Sequence, residues 1–100
     1  MNIRVVSAAK RELFAASDFY DRRKPGLGAE FLNDVESAFA LIRDYPQAWP
    51  VKYANGIRQI GLQRFPYAVI YRLSDDVAVV LAIAHLHRRP AYWKSRTGGN

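Results

Sequence analysis

One hundred residues with no cysteine and a formal net charge of +6 describe one domain with a small core, and exclude both a disulfide framework and a thiolate metal site. The apolar start Met1–Val6 is too short for a secretory leader. No later apolar run reaches the roughly 18 residues of a spanning helix, so the reading is a soluble cytoplasmic protein without a membrane partner.

The charge is unevenly placed. Residues 1–50 hold seven Lys/Arg and seven Asp/Glu; residues 51–100 hold eight Lys/Arg against Asp75 and Asp76 alone. The whole excess lies in the second half. Eleven of the fifteen cations are arginine, whose planar fork suits carboxylate or phosphate. An anionic partner is expected, either nucleic acid or an acidic protein segment.

Residues 2–6 alternate and are rich in β-branched side chains, which predicts a short strand. Ser7 is placed to cap a helix over residues 8–23, where Ala9, Leu13, Ala16 and Tyr20 form one apolar stripe. Lys24-Pro25-Gly26 breaks it. A second helix runs over residues 27–44 with Leu27, Phe31, Val35, Ala38 and Ile42 at helical spacing, and Tyr45-Pro46 ends it. Two helices joined by so short a break fold back as an antiparallel hairpin.

Residues 46–56, with two prolines and Asn55-Gly56, read as a loop. Three strands are predicted after it. The strand over 57–64 places Arg58, Ile60, Leu62 and Arg64 on one face. The strand over 67–73 does the same for Tyr67, Val69, Tyr71 and Leu73. The third, 77 to about 87, is almost wholly apolar and so is buried on both sides. Phe65-Pro66 and Ser74-Asp75-Asp76 are hairpin turns. The order β-α-α-β-β-β is an α+β domain over residues 1–96, a helical hairpin on one face of a small, mostly antiparallel four-stranded sheet, with residues 97–100 a frayed end. The uncovered face is left to short side chains, the basic residues and the tail.

The chemistry-bearing residues gather at the chain's end, in His85-Leu-His-Arg-Arg-Pro-Ala-Tyr-Trp-Lys94. His85 and His87, i and i+2 on a strand, point to one side and suit acid–base work. His85 equally suits a hydrogen-bonded strand end. No third ligand lies near them, so no metal is expected. Arg58, Arg64, Arg72, Arg88, Arg89, Lys94 and Arg96 form a candidate positive face, and Tyr92 and Trp93 are placed either to stack on bases or to pack the tail onto the domain. Gly26-Leu-Gly28 lacks phosphate-loop spacing and no serine has nucleophile-elbow context, so no cofactor is expected.

Three segments together resemble the RelE/ParE superfamily of toxins from type II toxin–antitoxin systems. They are Ala16-Ser-Asp-Phe-Tyr20 with Lys24-Pro-Gly-Leu-Gly28 and Phe31; Arg58 with Phe65-Pro-Tyr-Ala-Val-Ile-Tyr71; and Val79-Val-Leu-Ala-Ile-Ala-His85 with Arg88-Arg-Pro-Ala-Tyr-Trp93. The resemblance implies the fold derived above. It also implies a cognate antitoxin and one of two activities. RelE-like members are ribosome-dependent mRNA endonucleases using basic residues and a C-terminal tyrosine; here His85, His87, Arg88 and Tyr92 would serve. ParE-like members are similar to proteins that poison DNA gyrase by binding. In many nuclease members an arginine precedes the aliphatic-Val-Tyr of the third strand, and this chain has Ala68 there. The ParE-like branch is therefore the expectation, with Arg58, Arg64, Arg72, Arg88, Arg89, Tyr92 and Trp93 as contacts for antitoxin or target. A non-toxic binding module on the same fold is the remaining alternative.

Overall fold

A computed structural model describes residues 1–96; the end expected to fray, 97–100, lies outside the described residues. Strand β1 (Asn2–Val5) runs into helix α1 (Ser7–Arg23), then α2 (Leu27–Asp44), β2 (Val51–Tyr53), β3 (Ile57–Gly61), β4 (Tyr67–Ser74) and β5 (Val77–His85). The sheet order is β1-β5-β4-β3-β2. β1 pairs parallel to β5, and the other neighbours are antiparallel. The α+β class and the helical hairpin are as the residue pattern implies, but the sheet has five strands rather than four.

The added strand, β2, comes from the stretch read as a loop. Three alternating residues are too few to announce a strand beside two prolines. Asn55-Gly56 nevertheless carries the signal of the hairpin that makes it, because both residues adopt positive φ, 66° and 72°, as a tight strand-to-strand connection requires. Ser7 does not cap α1. Val6 holds the cap position without a side-chain hydrogen bond; its N–H donates to Val80 (3.1 Å) and its carbonyl accepts from Lys10 (3.0 Å). The strand passes straight into the helix, and buried Val6 fastens the junction.

The helical hairpin is tight because of two glycines. Gly26 takes φ 91°, open to glycine at no steric cost. A Cβ at Gly28 would lie 2.5 Å from the Ser17 carbonyl oxygen, so only glycine lets α2 approach α1 this closely. Asp21 accepts from the N–H groups of both glycines, at 2.9 and 3.2 Å. From the end of the hairpin, Tyr20 and Phe31 meet Phe65 and Tyr67 of the β3–β4 connection, Tyr20–Phe65 at 4.7 Å and Phe31–Tyr67 at 5.0 Å between ring centres. The aromatic residues of the first two resembling segments thus form one cluster. β3 stops at Gly61 rather than running to Arg64, because the turn after it is held by buried Asp34 of α2, which accepts from the N–H groups of Gln63 and Arg64.

β5 is buried along nearly its whole length, as its apolar run implies. It ends at His85, since the His85 carbonyl accepts from Arg88 N–H (3.0 Å) and turns the chain. Opposite β4 it carries one residue without a partner, Leu81, because Ile70 pairs with Ala82 and Tyr71 with Val80. Such a bulge bends the strand. Beyond it, residues 86–96 fold back across the sheet face away from the helices, so that face is not bare.

Candidate functional site

The site is built where β5 ends and the tail returns. The sheet supplies Gln59, Ala68, Ile70 and Ala84; β2 supplies Lys52 and Tyr53; the tail supplies Arg88, Arg89, Tyr92 and Trp93. Together with His85 they line a cavity of about 280 Å³. Its floor is small and apolar: Ala68, 1% exposed, puts a methyl group where a cation would otherwise enter. Its rim is cationic. Trp93 is 2% exposed and stands edge-on to Tyr53, 4.9 Å between ring centres, anchoring the tail.

A second anchor is the carboxylate of Glu12. It sits three residues after Ala9 and four before Ala16, on the buried face of α1, and only 14% of the side chain is exposed. Its oxygens accept from Tyr92 Oη (2.5 Å), Arg96 Nη1 and Nη2 (2.8 and 3.0 Å) and the Ile83 amide (3.0 Å). Arg88 Nη1 stands 3.6 Å away, its guanidinium stacked 3.8 Å from the Tyr92 ring centre. Arg96 also donates to the Leu81 carbonyl at 2.9 Å. One carboxylate therefore gathers three tail residues and one strand amide. Burial, and then the hydrogen bond to Glu12, push the Tyr92 hydroxyl above the usual tyrosine range, because both disfavour its anion.

The predicted site residues fall into two sets. His85, Arg88, Arg89, Tyr92 and Trp93 meet around the cavity. His87 lies past the end of β5, not on it; its N–H donates to His85 Nδ1 at 3.1 Å and the rings are 5.1 Å apart. Arg58, Arg64 and Arg72 are outside this group. Arg58 pairs with Tyr71 across the ladder, on the helix side. It donates to the carbonyls of Gln47 and Trp49, at 3.3 and 2.6 Å, and so pins the loop before β2. Arg64 is exposed and ion-paired with Glu30 at 2.6 Å. Arg72 shares the tail-covered side but lies further along β4, opposite Val79. Among the described residues, no three His, Asp or Glu side chains converge as metal ligands do, and no helix is long and apolar enough to cross a membrane.

Reasoning from the residues missed Glu12 and, with it, the partner that organises the tail. Its signal was a carboxylate inside the apolar stripe of α1, since a charge at such a position needs partners. Which partners could not be read, because Tyr92 and Arg96 are some 80 residues distant in the chain.

The family model for the ParE toxin of the type II toxin–antitoxin system parDE matches residues 3–90. Among solved structures, the chain is similar to one from the chromosomal ParDE toxin–antitoxin system of P. aeruginosa, with a TM-score of 0.77 at 19% identity, covering 87% of this chain and 97% of that one. It is also similar to the isolated E. coli RelE toxin, with a TM-score of 0.64 at 17% identity, covering 94% and 93%. At those identities the structures speak for the fold. No curated protein matches by sequence. A family model spanning nearly the whole domain, on a fold shared with both toxins, identifies the chain as a member of the ParE toxin family of type II toxin–antitoxin systems, which implies a cognate antitoxin as partner.

Proposed function

We propose that this toxin acts by binding rather than by cleavage, with DNA gyrase as its target, and that an acidic antitoxin neutralises it in the cytoplasm. The observation that carries the reading is the state of Tyr92. Its hydroxyl donates to Glu12 and its proton is held more tightly than in free tyrosine, whereas a nuclease tyrosine acting as base must give that proton up near neutral pH. Ala68 on the cavity floor adds to this, since phosphoryl-transfer chemistry relies on cations placed at the developing charge. Arg88 and Arg89 at the rim, with Arg58, Arg64, Arg72, Tyr92 and Trp93 as further candidate contacts, supply the binding surface in this reading. Burial of Trp93 and the intramolecular commitments of Arg58 and Arg64 put Arg88 and Arg89 first.

A second reading, a ribosome-dependent mRNA endonuclease, is favoured by one observation: Lys52, His85, Arg88 and Arg89 line the same cavity, where a bent RNA backbone would meet cations and an imidazole. Expression without antitoxin separates the two. The binding reading expects double-strand DNA breaks and a DNA-damage response with mRNA intact. Cleaved mRNA in translating extracts would refute it, and normal growth at high expression would leave only a non-toxic binding module.

A further inference from the structure

β1 ends at Val5, opposite Val80, with Val6 N–H adding one more bond to the Val80 carbonyl. β5 continues to His85, so its outer edge from Leu81 onward has no neighbouring strand. Two backbone groups there are met by side chains: Arg96 donates to the Leu81 carbonyl and Glu12 accepts from the Ile83 amide. Unpaired strand edges invite another chain, and proteins commonly cover them. Here a side-chain ion pair covers this one. Beside the edge runs a groove of about 260 Å³ between α1 and the tail, with Ala15, Ala16 and Ile83 among its apolar lining and Phe19 and Tyr67 beside them. Phe19 is 46% exposed, a large apolar ring with little to cover it.

The charge at this edge is unbalanced. Glu12 alone answers both Arg96 at 2.8 Å and Arg88 at 3.6 Å. The tail that carries them is also held in an unfavourable conformation, because Ala91 sits at φ 61°, a left-handed region that residues with a Cβ rarely occupy. Docking sustains that conformation, and release would relieve it.

From these features we propose that the bared edge of β5 receives an extended acidic segment of the antitoxin, and that Glu12 is its internal competitor. The incoming backbone takes the Leu81 carbonyl and the Ile83 amide, continuing the line of β1. Its carboxylates take Arg88 and Arg96 from Glu12, and its apolar side chains enter the groove beside Phe19. The proposal rests on the antitoxin reading for the source of the segment. Strand addition of this kind draws affinity from main-chain bonds and specificity from alternate side chains.

The probe is a short acetylated peptide of alternating valine and glutamate, added to the full chain, with amide hydrogen exchange followed residue by residue. Binding should slow exchange at Ile83, weaken with added salt, and vanish when lysine replaces glutamate in the peptide. The distinguishing variant is Glu12→Gln, which keeps the shape of the side chain and removes the competing charge. It should bind the peptide more tightly, by roughly tenfold for one charge-assisted contact no longer opposed. A purely structural Glu12 predicts weaker binding instead. Should the variant prove poorly folded, Ala91→Gly tests the same balance from the other side: glycine removes the penalty of the docked tail and should weaken peptide binding. Unchanged exchange at Ile83, or a Glu12→Gln protein that binds less well, overturns the proposal. An antitoxin that neutralises growth inhibition while Ile83 exchange is unaffected overturns the edge assignment and leaves the toxin reading standing; the loss of that reading would appear in the expression assay.

Discussion

Glu12 and Tyr92 hold most of the chemistry at the scale of single residues. Replacing Glu12 by alanine strands Arg96, which is mostly buried, and frees the Ile83 amide and the Tyr92 hydroxyl. Loss of one partner from a largely buried ion pair with several hydrogen bonds costs about 3 kcal/mol, to be measured by urea unfolding. Glu12→Gln, still able to accept hydrogen bonds, should cost less than half of that. Tyr92 gives a pH dependence of known sign. Its pKa is raised in the folded protein, so its contribution to stability is complete below the ordinary tyrosine value of about 10 and declines as pH rises above it. Tyr92→Phe should therefore flatten the alkaline fall in stability while leaving the acid limb unchanged. Ultraviolet titration of tyrosinate should lose its latest-ionising component in the same variant. An unaltered alkaline limb would mean that the Tyr92–Glu12 bond is not what holds the tail.

The elements show which parts of the fold could be read ahead and which could not. The two helices, their break at Lys24-Pro25-Gly26 and the buried β5 follow from local patterns, because helical spacing and long apolar runs are properties of neighbouring residues. β2 escaped because three residues cannot establish a period, although Asn55-Gly56 marked its hairpin. The ends of β3 and β5 escaped because distant or non-periodic contacts set them: Asp34 captures the turn amides after Gly61, and the His85 carbonyl turns the chain toward Arg88. The same limit applies to the site. The cluster at the chain's end was legible by composition, yet Glu12, which assembles it, lies on the first helix. Arg58 and Arg64 joined the cationic set by residue type alone, and only their placement separates them from Arg88 and Arg89. For the helical hairpin, Gly28→Ala should destabilise by about 1–3 kcal/mol, since the added methyl meets Ser17 backbone that cannot swing aside. Thermal unfolding of that variant with wild-type secondary structure but unchanged Tm would refute the role given to the close approach.

At the scale of the whole molecule, the net charge of +6 belongs to a scaffold whose helices carry balanced charge and whose far end presents Arg88 and Arg89 at a cavity mouth. Reversing both arginines to glutamate should leave the fold intact, as both are exposed. It should weaken association with an anionic partner by at least tenfold, with a shallower dependence on salt. Arg58→Ala should do the opposite, lowering stability through the loop before β2 while leaving the salt dependence of binding unchanged. The account stands most directly on a supercoiling assay with purified DNA gyrase, the purified toxin and intact plasmid, run beside a translating extract carrying a defined mRNA. The account predicts that supercoiling fails at stoichiometric toxin while the mRNA stays whole. Unimpaired gyrase together with mRNA cut in a ribosome-dependent manner would contradict it.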